Sequence, residues 1–204
     1  MGFKKLEAWD MPGNPFEMIE HQAALFTAGT KEHFNTMTIG WGLMGDLWNV
    51  PAFTAYVRPS RYTWQFAEEN DCFTVSFFGT PRPQALAVLG TKSGRDMDKL
   101  AVAKLAVEPA SKLSAPVIAQ SPLALECKVR EIIPLGSHDM FLAEIVAVDV
   151  EEKLLDEAGK LHLEKAGLMA YSHGEYFAMG KKIGSFGYSV RKKRPKNPNL
   201  KKKK

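Results

Sequence analysis

The sequence predicts a mainly β, α+β domain resembling a barrel. Short runs with strand-like alternation recur up to Phe78, two long Val/Ile/Leu-rich runs follow in the second half, and only two or three helix-like segments interrupt them. No internal repeat at a period of about 20–50 residues is visible, which argues against a solenoid or propeller.

Taken in order, Ala23–Thr30 (AALFTAGT) reads as a strand closed by Gly29. Thr36–Trp41 places Met37, Ile39 and Trp41 on one side and Thr36, Thr38 and Gly40 on the other, the period of two expected of a strand. Ala52–Arg58 is another strand, ended by Pro59. Ser60–Asn70 has helical spacing, with Tyr62, Phe66 and Ala67 on one face and Glu68 and Glu69 outward, and Cys72–Phe78 returns as a strand. Gln84–Leu89 and Asp96–Leu105 read as helices punctuated by Ser93-Gly94-Arg95-Asp96. Pro109 and Pro116 bound a loop. Leu123–Ile133 and Met140–Val150 form a hairpin-like pair around Pro134–Asp139, a loop long enough to carry function. A turn over Asp156–Lys160, the run Leu168–Tyr171 and the glycine-rich stretch Gly174–Gly187 close the body.

With 204 residues, 45% hydrophobic and 25% charged, the chain fits one domain with a packed core. The formal charge of +4 is unevenly placed: residues 191–204 hold nine of the 27 Lys and Arg and no acid, leaving 18 bases against 23 acids in the rest. The chain therefore divides into a mildly acidic domain over residues 1–190 and a basic tail over 191–204, which lacks apolar periodicity and is expected to be disordered. Because no aromatic residue interleaves its charges, the tail reads as a solvated, solubilising segment rather than a nucleic-acid ligand. Apolar runs such as Phe141–Val148 are too short to span a bilayer, and Glu7 and Asp10 fall where a secretory core would lie, so a cytoplasmic protein without a membrane contact is expected. Cys72 and Cys127 are the only cysteines and sit in apolar segments, as buried reduced thiols do.

Motifs for common chemistries are missing: there is no HExxH, GxSxG or GxxxxGK[ST]. The histidines, at 21, 33, 138, 162 and 173, make no i,i+4 pair, and no metal site is expected. That narrows the field to proteins whose chemistry resides in a bound organic group. Segment 35–41 (NTMTIGW) offers hydroxyls, backbone and a tryptophan face in one strand. Segment 57–63 (VRPSRYT) places two arginines, a serine and a threonine where a strand gives way to a helix. An aromatic wall beside a seat of cationic, hydroxyl and helix-start donors suits a phosphomononucleotide.

Four ordered patterns resemble the flavin-reductase-like proteins, especially their flavoredoxin-type branch: N-T-M-T-x-x-W-G at 35–42, P-A-x-x-x-x-V-R-P-S-R-Y-T at 51–63, F-T-V-S-F-F at 73–78 and G-x-K-S-G-R-D-x-D-K at 90–99. The resemblance runs from about residue 20 to residue 187. It implies a Greek-key split barrel with FMN at a homodimer interface. By position it implies that Thr36, Met37 and Thr38 line the flavin edge, that Trp41 packs against the ring and that Asn35 positions the strand. It likewise puts Arg58, Ser60, Arg61, Tyr62 and Thr63 around the ribityl phosphate, with Ser93, Gly94, Arg95 and Asp96 as a capping loop and Lys99 close by. His138 would approach the nicotinamide side, and Tyr171 and Tyr176 would contribute from the C-terminal segment.

Two functions follow. The first is an NAD(P)H-dependent flavin reductase, in which hydride passes from nicotinamide to flavin without a side-chain acid or base. The second is an electron carrier that keeps its FMN and exchanges electrons with a partner protein. A flavin-binding module with no turnover, or one using the same pocket for another ligand such as haem or pyridoxal phosphate, ranks below both because no axial ligand is evident.

Overall fold

A computed structural model describes residues 24–47, 49–78, 83–167, 169–172, 175–178 and 181. The tail over 191–204, His21, His173 and most of the glycine-rich stretch from 174 to 187 lie outside them.

Seven strands form one antiparallel sheet in the order β2-β1-β5-β8-β9-β4-β3. They are β1 (Ala24–Gly29), β2 (Phe34–Ile39), β3 (Gly42–Leu47), β4 (Val50–Val57), β5 (Cys72–Phe77), β8 (Leu123–Pro134) and β9 (Asp139–Val150). The topology itself requires closure. β2 and β3 are joined only by Gly40 and Trp41, yet they stand at opposite ends of the sheet. Two residues reach about 10 Å at most, so the sheet must curl until its ends meet. A backbone bond from Tyr56 N to the Trp41 carbonyl, 3.2 Å, extends the β3–β4 pairing into this link.

The curl creates an inside and an outside, and the strand sequences answer to both. Phe26, Phe53, Phe73 and Phe141 fill the interior, with Phe26 stacked on Phe73 at 4.5 Å between centroids. Leu25, one residue from Phe26, faces the outside, where it joins Phe78, Leu86, Leu89, Leu105 and Ile118 in a second cluster. β1 is consequently buried along its whole length, which explains its unbroken apolar run.

Helix α1 (Tyr62–Asn70) packs against β1, β2 and β5 through Thr63, Phe66 and Ala67, and ends at Asp71 in the left-handed conformation (φ 48°). Helix α2 (Pro83–Thr91) lies over β1 and β2. The short α3 (Lys99–Ala103) follows it, and the small strands β6 (Val107–Glu108) and β7 (Val117–Ile118) pair with each other, as do β10 (Met169–Ser172) and β11 (Glu175–Ala178).

Three expectations from sequence are corrected. The helix expected over Asp96–Leu105 contracts to Lys99–Ala103: Asp98 Oδ1 accepts the Ala101 N–H at 3.1 Å, and Lys104 (φ 53°) ends it. Trp41 does not continue the alternation of Met37 and Ile39, because the chain bends at Gly40 and Trp41 lies beyond β2. β3 was not anticipated, since two glycines and Asp46 interrupt an apolar run whose Leu43, Met44 and Leu47 remain exposed on the sheet edge.

The loop between β6 and β7 is held on the outer face of the sheet by a carboxylate. Glu126 is wholly buried and accepts the N–H groups of Ser111 (2.7 Å), Lys112 (2.9 Å) and Leu113 (2.8 Å) together with the Ser111 hydroxyl. Burial works against its charge, but these donors prevail and hold it below the usual carboxylate range. Asp149 nearby is pushed up to about 6, first by burial and then by the charge of Glu126. A carboxyl raised on folding binds protons more readily in the folded state, so its stabilising contribution is full below pH 3.8 and is lost as pH rises through about 6. Asp149→Asn should therefore show a flatter melting-temperature profile than the parent between pH 4 and about 7, and a higher melting temperature at the upper end. Glu126→Gln should lower the urea unfolding free energy by about 2 kcal/mol, the scale of lost bonds to a charged group.

Candidate functional site

The site is built on the seam. β2 presents Asn35, Met37 and Thr38 to a cavity of about 240 Å³, walled on one side by Ser60–Thr63 at the start of α1 and on the other by Leu89–Arg95 at the end of α2 and beyond. Asn35 locks strand to helix: its Nδ2 donates to Thr63 Oγ1 at 2.7 Å in a buried contact. Thr38 Oγ1 donates to the Leu86 carbonyl at 2.6 Å and fixes α2 to the same strand. Gly90 allows this approach, since a Cβ there would lie 3.2 Å from Thr38 Cβ.

The cavity is cationic. Arg61, Lys92, Arg95 and Lys99 border it and no carboxylate does. Arg95 lies over the Tyr62 ring, 4.7 Å from its centroid, so its guanidinium is held rather than free to swing. Lys99 is buried, with Nζ donating to the Leu89 carbonyl at 3.2 Å. Burial, and after it the charge of Arg61, brings its ammonium down to about 8. Helix α1 opens at Arg61 without a side-chain cap, and Arg61, Tyr62 and Thr63 all border the cavity.

A second cavity of about 220 Å³ adjoins the first, sharing Met37, Thr38 and Arg61 with it, and continues along the seam past Ile39, Gly40 and Trp41 to Tyr56, Arg58 and His138. The pairing of Val57 with Asp139 sets Arg58 beside His138. Arg58 Nε donates to His138 Nε2 at 3.1 Å, which leaves the ring proton on Nδ1, facing Ser137 Oγ at 3.0 Å. Burial and then the charges of Arg58 and Arg61 lower the His138 pKa, so the ring is neutral. Trp41 lies against it with centroids 4.5 Å apart.

Most of the residues singled out in the sequence meet here. Asn35, Ser60, Tyr62, Thr63, Ser93, Gly94, Arg95 and Lys99 border the first cavity, Trp41, Arg58 and His138 the second, and Met37, Thr38 and Arg61 both. Arg58 is therefore displaced from its expected place among the groups of the first cavity, because the β4–β9 register carries it to His138 instead. Thr36 borders neither cavity: its hydroxyl accepts from Thr27 at 2.9 Å and donates to the Phe26 carbonyl. Asp96 also borders neither, and its N–H donates to the Ser93 carbonyl at 3.2 Å. Tyr171 and Tyr176 face each other in the β10–β11 register, and their side chains lie outside the described residues. Sequence reasoning missed Tyr56, Gly90 and Lys92. Gly90 and Lys92 stood within a recognised pattern, whereas Tyr56 carries no signal beyond strand alternation.

A family model for the flavin reductase like domain matches residues 16–180. Among solved structures, flavoredoxin from Methanosarcina acetivorans superposes with a TM-score of 0.70 at 28% identity, covering 84% of this chain and 92% of that one. An FMN-binding protein from Thermus thermophilus with bound 1-cyclohex-2-enone gives 0.68 at 25%, covering 91% and 99%. Flavoredoxin of Desulfovibrio vulgaris, at 24% identity, a TM-score of 0.74 and coverage of 84% and 93%, shares the fold. The chain spans less than half the length of two curated relatives it matches, 43% of one from Aeropyrum pernix and 42% of one from Deinococcus radiodurans.

Gly94 provides a test of the site's packing. A Cβ there would lie 2.1 Å from Asn35 Oδ1, against the residue that ties β2 to α1. Gly94→Ala should lower stability by about 1–3 kcal/mol, the scale of overpacking, in thermal or urea denaturation. Gly45→Ala, where nothing lies within 4 Å of the new methyl, should leave it unchanged within about 0.5 kcal/mol.

Proposed function

The chain belongs to the flavin reductase like family, and we propose on that footing that its cleft binds FMN, phosphate in the first cavity and isoalloxazine ring in the second. The observation that carries this reading is the division of labour between two joined cavities. One is bordered by four cations and an uncapped helix start with no acid, which suits a phosphate dianion. The other offers Trp41, Tyr56, Met37 and Ile39, which suit a flat conjugated ring.

When bound, the flavin supplies the redox chemistry, taking electrons from one partner and passing them to another. The chain's residues bind and orient. Arg58 and Arg61 bring positive charge to the ring's side of the cleft, which favours the negative charge that a flavin gains on reduction. His138, neutral and held by Arg58, Ser137 and Trp41, contributes shape rather than a proton. Hydride transfer to flavin asks the protein for proximity and orientation rather than a general acid.

The activity proposed is NAD(P)H-dependent flavin reduction in the cytoplasm, by a homodimer. The exposed Leu43, Met44 and Leu47 on edge strand β3, next to the seam, support a second copy covering that edge. A second reading, an electron carrier that retains its FMN, is favoured by the likeness to the flavoredoxin of M. acetivorans. Anaerobic addition of NADH or NADPH to the FMN-loaded protein separates the two. Prompt bleaching supports the reductase. Bleaching only by dithionite or a reduced iron–sulfur protein supports the carrier, and failure to bind FMN sinks both.

Arg95→Ala should weaken FMN binding by about 1.5–3 kcal/mol while leaving riboflavin binding nearly unchanged, and Arg61→Ala, at the border of both cavities, should weaken FMN more than riboflavin. Arg58→Ala should alter the two alike, because it lies away from the phosphate. Isothermal titration with both flavins reads the difference. Lys99 adds a pH dependence: its charge favours the phosphate while protonated, so FMN affinity should fall as pH rises through about 8. Lys99→Arg should abolish that fall.

A further inference from the structure

Away from the cleft, one histidine has both ring nitrogens against carboxylates. His162 Nε2 lies 3.0 Å from Asp156 Oδ2, and its Nδ1 lies 2.7 Å from Glu164 Oε1. None of the three residues borders either cavity of the cleft. A neutral imidazole has one N–H and one lone pair, whereas the charged ring has two donors. An ionised carboxylate only accepts, so the imidazolium alone satisfies both contacts. His138 is the opposite case, since its Nε2 accepts from Arg58 and must keep a lone pair to do so. Partners thus sort the two rings, one neutral and one charged.

The contacts join pieces of chain that backbone bonds hold separately. The connection from β9 to β10 begins with a 3-10 turn, Glu152–Leu154, whose Leu154 is wholly buried. The chain then reverses over Asp156–Lys160: Asp156 N donates to the Lys160 carbonyl at 3.0 Å, Leu155 bridges Leu161, and His162 N donates to the Leu154 carbonyl at 2.7 Å. Asp156 Oδ1 accepts the N–H groups of Ala158 and Lys160 at 3.0 and 2.9 Å, which fixes the carboxylate and leaves Oδ2 to the ring. Glu164 belongs to a second 3-10 turn, Leu163–Lys165, which leads on toward β10. The imidazole therefore ties the reversal to the turn by which the chain leaves it.

We propose that Asp156, His162 and Glu164 form a proton-operated clasp on the β9–β10 connection, closed while the imidazole is charged and opened when it gives up a proton. On losing that proton the ring keeps one N–H, and its other nitrogen turns a lone pair on a carboxylate, so one bond is replaced by a repulsion. Glu164 is the more exposed partner, with 58% of its side chain open against 39% for Asp156, and its turn is the part that loosens. Among the described residues, Glu164 and Asp156 favour the charged ring, while desolvation and the charge of Lys165 oppose it. The carboxylates prevail and raise the His162 pKa above 6.5, Glu164 first and Asp156 second. A pKa raised on folding gives a contribution that is complete below pH 6.5 and lost as pH rises through the folded value. The clasp is shut on the acid side and slack on the alkaline side, whatever the cleft binds.

The test uses the full-length protein. Nitrogen NMR of the imidazole rings follows His162, whose signals are the ones lost in His162→Gln. Hydrogen exchange follows the segment over residues 160–166 from about pH 5.5 to about 9, corrected for the intrinsic rate at each pH. The expected result is a His162 pKa above 6.5, with protection of the segment falling about two- to fivefold as the ring loses its proton, on the scale of one exposed ion pair. Strand β1 (Ala24–Gly29) should show no such step. In His162→Gln the segment should sit at the parent's alkaline level throughout. The double variant Asp156→Asn, Glu164→Gln should return the pKa to about 6.5 and abolish the step, while the asparagine oxygen still accepts from Ala158 and Lys160. The proposal is overturned if His162 titrates at or below 6.5, if protection is unchanged through its titration, if β1 shows the same step, or if the step survives in either variant. A purely structural ring would make His162→Gln less protected than the parent at every pH, alkaline values included, and that result overturns it too.

Discussion

The two-residue link between β2 and β3 is the constraint on which the rest of the molecule depends. Gly40 and Trp41 join strands that the pairing order places at opposite ends of a seven-stranded sheet, so the sheet has no flat alternative. Closure brings the phenylalanines of β1, β4, β5 and β9 into one interior, and it leaves the outer face of β1 to be covered by α2. It also determines where a cleft can form. Along most of the sheet, side chains on each face meet neighbours on paired strands. At the seam, β2 and β4 approach without a ladder between them, and the space is bordered by Met37, Thr38, Trp41 and Tyr56 instead. The interior is therefore closed and apolar while the seam stays open.

The seam is kept open by interactions fastened elsewhere. Asn35 holds α1 to β2, Thr38 holds α2 to the same strand, and Trp64 on α1 donates to Asp139 at the foot of β9, 2.9 Å away. The last contact matters because Asp139 follows His138 and pairs with Val57, which precedes Arg58. One helix thus anchors both walls: its start borders the first cavity, and its first turn fixes the loop that carries His138. The cost is a cluster of like charges. Burial, and after it the charge of Arg61, depresses the pKa of Lys99, and burial followed by the charges of Arg58 and Arg61 depresses that of His138. Repulsion of this kind is relieved by an anion, so a site that is electrostatically strained when empty is primed to bind one.

Much of this was legible in the sequence, and the boundary of legibility has a physical cause. The long hairpin of β8 and β9, strands β1, β4 and β5, and helix α1 all announced themselves, because each carries enough consecutive residues in one environment for a period to show. Strand β3 did not, since an edge strand with both sides exposed has no buried face to enforce alternation. Helix α3 was overextended because Asp96 and Asp98 are equally good caps on paper, and only the backbone decides which one accepts an N–H. Within the site, residues close in sequence to a helix start or a glycine-rich turn were found. Tyr56 was not, and the place of Arg58 beside His138, apart from Ser60, Tyr62 and Thr63, was not legible, since both depend on which residue of β9 stands opposite. A one-residue difference in register would exchange the partners of Arg58, and sequence alone does not give register.

Arg58 and Arg61 lie three residues apart at the same strand-to-helix junction, yet they do different things. Arg61 is the N-cap residue of α1 and borders both cavities. Arg58 precedes the Pro59 turn, and its guanidinium is committed to a neutral imidazole that rests on an indole. A guanidinium bound to a neutral acceptor keeps its full charge, whereas one paired with a carboxylate has it largely cancelled. His138 thus acts as a neutral bracket that orients Arg58 without quenching it. The same bond keeps the Nε2 lone pair of His138 occupied and its proton on Nδ1, turned toward Ser137. Positive charge is thereby delivered to the second cavity, whose border holds no carboxylate, so its side chains act there through their electrostatic field rather than by proton transfer.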